Sequence, residues 1–556
     1  MLGYSNCNAI LTPYCAVIII ILYSGFVRNI YRCVMQDCIQ NNMKKRRNAI
    51  DKLNTLLFGK DLRIIEGEPY TEVREFDFSS YYPVDNYVTN QSLPDSNVYD
   101  IRDFGADTSS EDNAEYINLA IEQASKTQGT VLISGGDYVT TTVTLKSGIT
   151  LFIERDSSLS SNKTGKGYEA EGSIIFAENE HNITITGGGK INGNGNFFGR
   201  KPQADSNFTE NAEYIDVIKM RRDYRSQLRF AHPSKYGSPI VIKECRNVTI
   251  DNFIIENSAS WSLKLIDCKD VSISDFVINN NRNVANADGI DIAGSSNVDI
   301  RHCFISTADD GIVIKNAIWL GNKGAMSNIN ISDCEVISRT NSIKIGTETT
   351  YDIFNVNIDN CRLFMTDLYP GTVSGIAIES CDGSKVYNVS VSNIEMNRCT
   401  CPIFVRLGNR NRASIVNAQT SNAIEFGKKV KFVPSAEKST FDEKSELRDI
   451  TITDVRATGV ELPIIIAGYK QKGRVHRVEN LMLKNIDIEY SDLPEIIDRR
   501  LFIPEYAKEY PESWRFRNLP AYALWSRHTK NLSIDNFNCT HSLSTWKEKI
   551  IQIDNI

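Results

Sequence analysis

One short phrase recurs down the chain and limits its fold more than any other feature: Asn or Asp, an apolar residue, a polar one, an apolar one, then a polar turn. It stands at Asn182 (NITITG), Asn247 (NVTIDNF), Asp270 (DVSISDF), Asn297 (NVDIRHC), Asn328 (NINISDC), Asn355 (NVNIDNC) and Asn388 (NVSVSNI). It returns at Asp449, Asn480 and Asn531. From Asn247 to Asn388 the successive intervals are 23, 27, 31, 27 and 33 residues. Each phrase alternates with period two and is rich in β-branched residues, the pattern of a strand with one buried face. Such a strand is too short to bury that face alone, and most intervals leave no room for a crossover helix. Stacking coils at the strand spacing of about 4.8 Å buries all the faces together. The repeats therefore predict an all-β chain folded as a parallel β-helix. That single solenoid replaces the three or four domains that 556 residues would suggest at about 150 per domain. The leading Asn of each phrase predicts a side-chain ladder along the stack.

A solenoid needs its open end covered. Ser109-Ser110-Glu111-Asp112 reads as a capping box. It opens a helix that carries Ala114, Ile117, Ile121 and Ala124 on one face, the expected N-terminal cap. Strands are expected around 98–104, 130–133 and 142–153. The β-helix should span 98–556, with 44–97 a linker or wrapping extension and 1–43 an apolar segment with a basic flank. Ala9 to Val27 is a run of nineteen residues without a charge, long enough to cross a bilayer. Arg28, Arg32 and the run Lys44 to Arg47 follow it and would hold the downstream side in the cytoplasm. The other reading starts a cytoplasmic chain near Met43. Membrane contact is expected only through residues 9–27.

Composition excludes little but usefully. With 41% hydrophobic and 24% charged residues the chain is globular rather than disordered, and a net charge of −7 gives no basic footprint for nucleic acid. The thirteen cysteines include no CxxC pair and read as buried free thiols, which fit a reducing compartment.

Two neighbouring repeats carry the chemistry. One holds Asn286-Ala287-Asp288-Gly289-Ile290-Asp291, the next Ala308-Asp309-Asp310-Gly311 and, beyond it, Lys315. Asp288 and Asp309 lie 21 residues apart, about one coil, so the two sites should sit one above the other. Carboxylates crowded on adjacent rungs repel, which raises at least one pKa. A protonated acid beside an ionised one is what hydrolysis of a glycosidic bond needs. A lone Asp-Gly makes only a turn; Asp309 beside Asp310 on a strand edge costs stability and so needs a reason. No HExxH, GxSxG, P-loop or dinucleotide fingerprint occurs in a supporting context, and neither cofactor nor metal is expected.

On these residues, with GGGKINGNG at Gly187–Gly195 and NSASW ending at Trp261, the chain resembles glycoside hydrolase family 28, the polygalacturonase-like enzymes, from about Val98 to Ile556. The resemblance implies a single-stranded, right-handed parallel β-helix of the pectin-lyase-like kind. It also implies a polysaccharide or oligosaccharide substrate whose pectic α-glycosidic bonds are hydrolysed with inversion. By position, Asp310 is implied as the general acid, and Asp288 with Asp309 as the pair that activates water. Asn286, Asp291, Lys315 and Trp261 are candidates for binding the sugar. Two departures stand out. The family's Gly-His-Gly turn falls on Thr340-Asn341-Ser342, and its Arg-Ile-Lys grip falls on Ala377-Ile378-Glu379. Asn341 and Glu379 therefore join the substrate-binding candidates, and Lys344, Arg406 and Arg410 are the cations left to hold an acidic sugar. These changes imply a divergent branch acting on rhamnogalacturonan-like or other oligosaccharides. Tyr351, Tyr369 and Tyr522 offer stacking faces alongside Trp261, and His302 lies near the acids in coil order. The long connections Arg410–Asp449 and Ile488–Asn531 could close one end of a cleft and favour exo action. Two other classes stay open: a β-helix polysaccharide lyase using Ca²⁺ with Lys315 or Lys344 as base, and a non-catalytic glycan-binding β-helix.

Overall fold

The phrases become rungs. The computed structural model describes residues 83–556 apart from 170–171, 196–237, 283, 285, 367–370, 411–423, 426–427, 430–444, 491–502, 517–518 and 542–546. The expected segment at 9–27 and Tyr369 lie outside the described residues. Among those described, no helix is long and apolar enough to cross a membrane.

Twelve parallel strands form one continuous sheet, from Val143–Thr144 through Ile290–Ala293, Ile312–Asn316, Asn341–Thr349, Thr372–Ser380 and Cys399–Leu407 to Glu548–Ile553. A second sheet of seventeen strands takes the remaining sides of the coil. Register explains the core. Ile290, Ile312, Ile343, Ile376 and Ile403 stack as consecutive partners and are all fully buried in one apolar column. Each such isoleucine contributes about 1.5–3 kcal/mol from burial. Because the side-chain period is two, every inward isoleucine puts its neighbours on the outer face, where the site is built.

The asparagine ladder forms as expected. The Asn297 amide donates to Asp270 at 2.7 Å, Asn328 to Asn297 at 2.9 Å, Asn355 to Asn328 at 3.1 Å and Asn388 to Asn355 at 2.6 Å. All five of these residues have φ between 55° and 59°, the left-handed region that Asn tolerates better than most residues. Asn355→Ala is expected to lose roughly 1–2 kcal/mol from that backbone strain plus a ladder bond, with Asn355→Gly losing less. Urea midpoints measure both, and equal losses would remove the backbone explanation.

The cap differs from its expectation. The helix runs Ala114–Thr127, with Asn113 at its N-cap making no side-chain capping bond. The capping box from Ser109 to Asp112 does not close. Instead one Asp112 oxygen accepts from the Ala114 amide at 3.0 Å and the Thr141 amide at 2.9 Å, tying the helix start to the first coil. Ile117, Ala120, Ile121 and Ala124 still face the core. The strand expected over 98–104 stops at Asp100 and continues as a 3₁₀ turn to Phe104.

Ahead of the cap, the chain from Val84 lies on the outside of the larger sheet. Tyr87 and Val88 cover an apolar stripe of Ile254, Val277, Phe304, Ile337 and Phe364. His302 belongs to this surface: it bonds Asp275 at 2.7 Å and packs tilted against Tyr87, 4.8 Å between ring centres. It takes no part in the acidic site. The nine described cysteines, from Cys245 to Cys539, are free and buried.

Candidate active site

Successive rungs of the twelve-stranded sheet bring the acids together. Lys264 pairs with Asp291, Asp291 with Val313, and Val313 with Lys344. Asp288, Asp309–Asp310 and Thr340 occupy the turns that enter three of these strands, and Asn341 opens the third. Two glycines let the turns touch: a Cβ on Gly289 would lie 2.3 Å from the Gly311 carbonyl oxygen, and one on Gly311 would lie 2.5 Å from the Ser342 oxygen. That close approach is what the two Asp-Gly pairs supply. As a result one carboxylate oxygen each from Asp288, Asp309 and Asp310 lies within 4.8 Å of the others.

The three acids sit in different surroundings. Asp310 is 5% exposed. One of its oxygens accepts from Thr340 Oγ1 at 2.7 Å, Asn341 Nδ2 at 2.8 Å and the Asn341 amide at 3.2 Å, while the other faces Lys344 Nζ at 3.3 Å. Burial alone would raise its pKa, but Lys344, Lys315 and these donors outweigh burial and hold it down to about 2. Asp288 is pushed the other way. Burial and the neighbouring Asp291 raise it well above the usual carboxylate range. Burial also raises Asp291, to about 7, although Lys315 Nζ lies 2.5 Å from it and 3.3 Å from Asp288. Two buried carboxylates share one ammonium, so a proton stays on that pair near neutral pH. Asp309 is the half-buried member of the trio; one of its oxygens accepts from Thr340 Oγ1 at 3.0 Å.

Such a spacing of carboxylates would also suit a cation. Lys315 and Lys344 already supply two positive charges against it, each held protonated by its acidic neighbours despite burial.

Several expected sugar contacts are, like Asp288 and Asp310, buried among their neighbours. Asp291, Asn341 and Glu379 are fully buried, Lys344 and Arg406 are 1% exposed and Lys315 is 4% exposed. Lys315, Lys344 and Asn341 instead set the charge of the acids. Arg406 holds backbone: it donates to the carbonyls of Gly468 at 2.8 Å and Glu505 at 2.6 Å, under the Phe516 ring. Arg410 is engaged by Asp382 at 2.5 and 3.1 Å. Asn286, exposed, and Trp261, half-buried with Lys315 Nζ 3.7 Å from its ring centre, remain on the open side.

Three residues join the site that were not among the candidates for catalysis or sugar binding. Thr340 grips both adjacent acids. Glu512 lies 3.5 Å from Lys344 Nζ, and the Tyr510 ring lies 5.4 Å from both Lys344 and Arg410. Tyr510 and Glu512 fall within the long Ile488–Asn531 connection, and Thr340 opens the segment at the family's Gly-His-Gly turn.

Residues 123–432, more than half the chain, match the sequence profile of glycosyl hydrolases family 28. The chain belongs to that family. Among curated members it is 26% identical over 290 residues to an endo-polygalacturonase of Pectobacterium carotovorum subsp. carotovorum, covering 49% of this chain and 65% of that one. It is 23% identical over 324 residues to polygalacturonase QRT2 of Arabidopsis thaliana, covering 55% and 64%. The family 28 chain thus spans a little under two thirds of the length of these relatives. Its fold matches the family 28 exopolygalacturonase of Yersinia enterocolitica with a TM-score of 0.55 at 16% identity, covering 82% of this chain and 78% of that one. It matches a hyperthermoactive exopolygalacturonase of Thermotoga maritima with 0.53 at 19%, covering 73% and 90%. Both parallels establish the right-handed parallel β-helix.

Proposed function

We propose that this family 28 chain hydrolyses α-glycosidic bonds of pectic or related glycans with an acid and a base drawn from Asp288, Asp309 and Asp310. The observation that carries the reading is the anchoring of Asp310 by Lys344, Asn341 and Thr340 among carboxylates within 4.8 Å of one another. A carboxyl held at about 2 keeps no proton at neutral pH, so Asp310 serves as a base beside Asp288 rather than as the acid. That reverses the role implied by family position. Closing a sugar over the trio makes a further negative charge costly, so one proton is retained among the three. Asp309, the half-buried member, is the one most open to the leaving oxygen.

The lyase reading loses its base. Lys315 and Lys344 are both buried and held protonated, so neither is available to take a proton from a sugar. A purely glycan-binding solenoid gives no reason to crowd like charges on adjacent rungs.

Inversion is the outcome that family membership supports. The trio lies closer together than the roughly 6.5–9.5 Å that commonly leaves room for the attacking water, so the anomer first formed decides the point. Time-resolved NMR on pectic oligosaccharides is expected to show the inverted anomer, no unsaturated product absorbing in the ultraviolet and no loss of rate with chelator. A retained anomer would overturn inversion. An unsaturated, chelator-sensitive product would replace hydrolysis with elimination.

A further inference from the structure

The stretch from Ile503 to Phe516 crosses the outer face of the twelve-stranded sheet just beyond the acids, and it is pinned along its length. Arg527 holds its start, donating to the Ile503 carbonyl at 2.7 Å. The Asn409 amide fixes the middle of the crossing, donating to the Ala507 carbonyl at 2.6 Å. Ser513 Oγ fixes its far side, donating to the Val373 carbonyl at 3.1 Å. Phe516 then packs between Phe404 and Trp525, at 5.9 and 5.5 Å between ring centres, within an apolar cluster on that outer face. Between these anchors, Tyr510 and Glu512 descend onto Lys344. One ammonium therefore reaches from the catalytic carboxylate of Asp310, at 3.3 Å, to a carboxylate of the crossing segment, at 3.5 Å. Glu379, at the position of the missing cationic grip, lies fully buried beside them.

From this geometry we infer that the Tyr510–Glu512 crossing ends the sugar-binding groove one rung beyond the acids, so that the protein cleaves one sugar at a time from a chain end. Trp261, Asp288 and Asp310 stand on or beside consecutive rungs, so a bound glycan runs along the stack. On the Lys344 side the crossing begins at the next rung, one strand spacing of about 4.8 Å beyond that of Asp310, and a single ammonium bridges Asp310 and Glu512. The chain's own Glu512 carboxylate lies against Lys344, where a further acidic sugar would otherwise seek a cation. The inference rests on the hydrolytic reading above.

The test uses the full chain and pectic oligosaccharides, trisaccharide to octasaccharide, labelled with a fluorophore at the reducing end. Chromatography of early time points is expected to show a monosaccharide and the substrate shortened by one sugar as the only products at every length. Early mixtures of internal fragments would overturn the inference while leaving hydrolysis intact. No cleavage of any glycan would overturn the hydrolytic reading, and this inference with it. The Tyr510→Ala, Glu512→Ala double variant, checked for folding by circular dichroism, is expected to release internal fragments. A folded double variant that still releases only monosaccharide would show that another element ends the groove, and would overturn the assignment to this segment. If the double variant does not fold, the wild-type product pattern alone decides.

Discussion

Asp310→Asn is expected to cut turnover by on the order of 10³-fold while the β-helix stays folded. The side chain keeps its size, so Thr340 and the Asn341 amide nitrogen can still bond to its carbonyl oxygen. Lys344 keeps Glu512 as a partner. What disappears is a carboxylate that Lys344, Lys315 and the neighbouring donors keep ionised. Steady-state rates on a pectic oligosaccharide, with the melting temperature as a control for folding, measure the effect. A folded variant with near-normal turnover would remove Asp310 from the chemistry.

The second large effect concerns stability against pH. Glu379 is fully buried, and burial raises its pKa to about 8, reinforced by Glu512 and opposed by Lys344. Asp291 is raised to about 7. Both values lie above those of the unfolded chain, near 4. Between about pH 4 and 8 the unfolded state gives up these protons while the folded state keeps them, so stability falls as pH rises. At 1.36 kcal/mol per pH unit, Glu379 alone costs on the order of 4 kcal/mol by pH 9. Asp310 acts with the opposite sign. Its folded value of about 2 lies below the unfolded one, so its contribution is present above about pH 4 and is lost as pH falls toward 2. Maximum stability is therefore expected between about pH 4 and 6. Glu379→Gln, which copies the neutral form, should lose much less stability than the parent between pH 6 and 9. Urea midpoints across that range check it, and parallel curves for the two proteins would exclude Glu379 as the source.

The solenoid was legible because its signal is local and repeated. Asn297, Asn328, Asn355 and Asn388 recur at the coil length, and the ladder they form is written in the spacing. The acidic trio was legible for a related reason, since two Asp-Gly turns one coil apart must stack. Their division of labour was not. Which of two adjacent aspartates is ionised depends on Lys344, Thr340 and Asn341, which meet them only through the register of the next rung. For Tyr510 and Glu512 only the length of the Ile488–Asn531 connection was a guide, because no periodicity connects them to Lys344 across the intervening coils. Local motifs also misled where a side chain found a better use. Asp112 bonds the Ala114 and Thr141 amides, and the apparent capping box never closes. Arg406 looked like a free cation in the sequence, yet its donors satisfy carbonyls from two later segments.

The crossing segment has a consequence for the order in which the protein is made. Each rung rests on its predecessor, so the turns carrying Asp288, Asp309 and Asp310 can stack as soon as their own coils have left the ribosome. Ile503–Phe516 emerges some two hundred residues later, and its anchors include Arg527, later still. During synthesis the acids are assembled before anything lies across the groove beside them. The selectivity for chain ends inferred above is thus among the last properties the growing polypeptide would acquire.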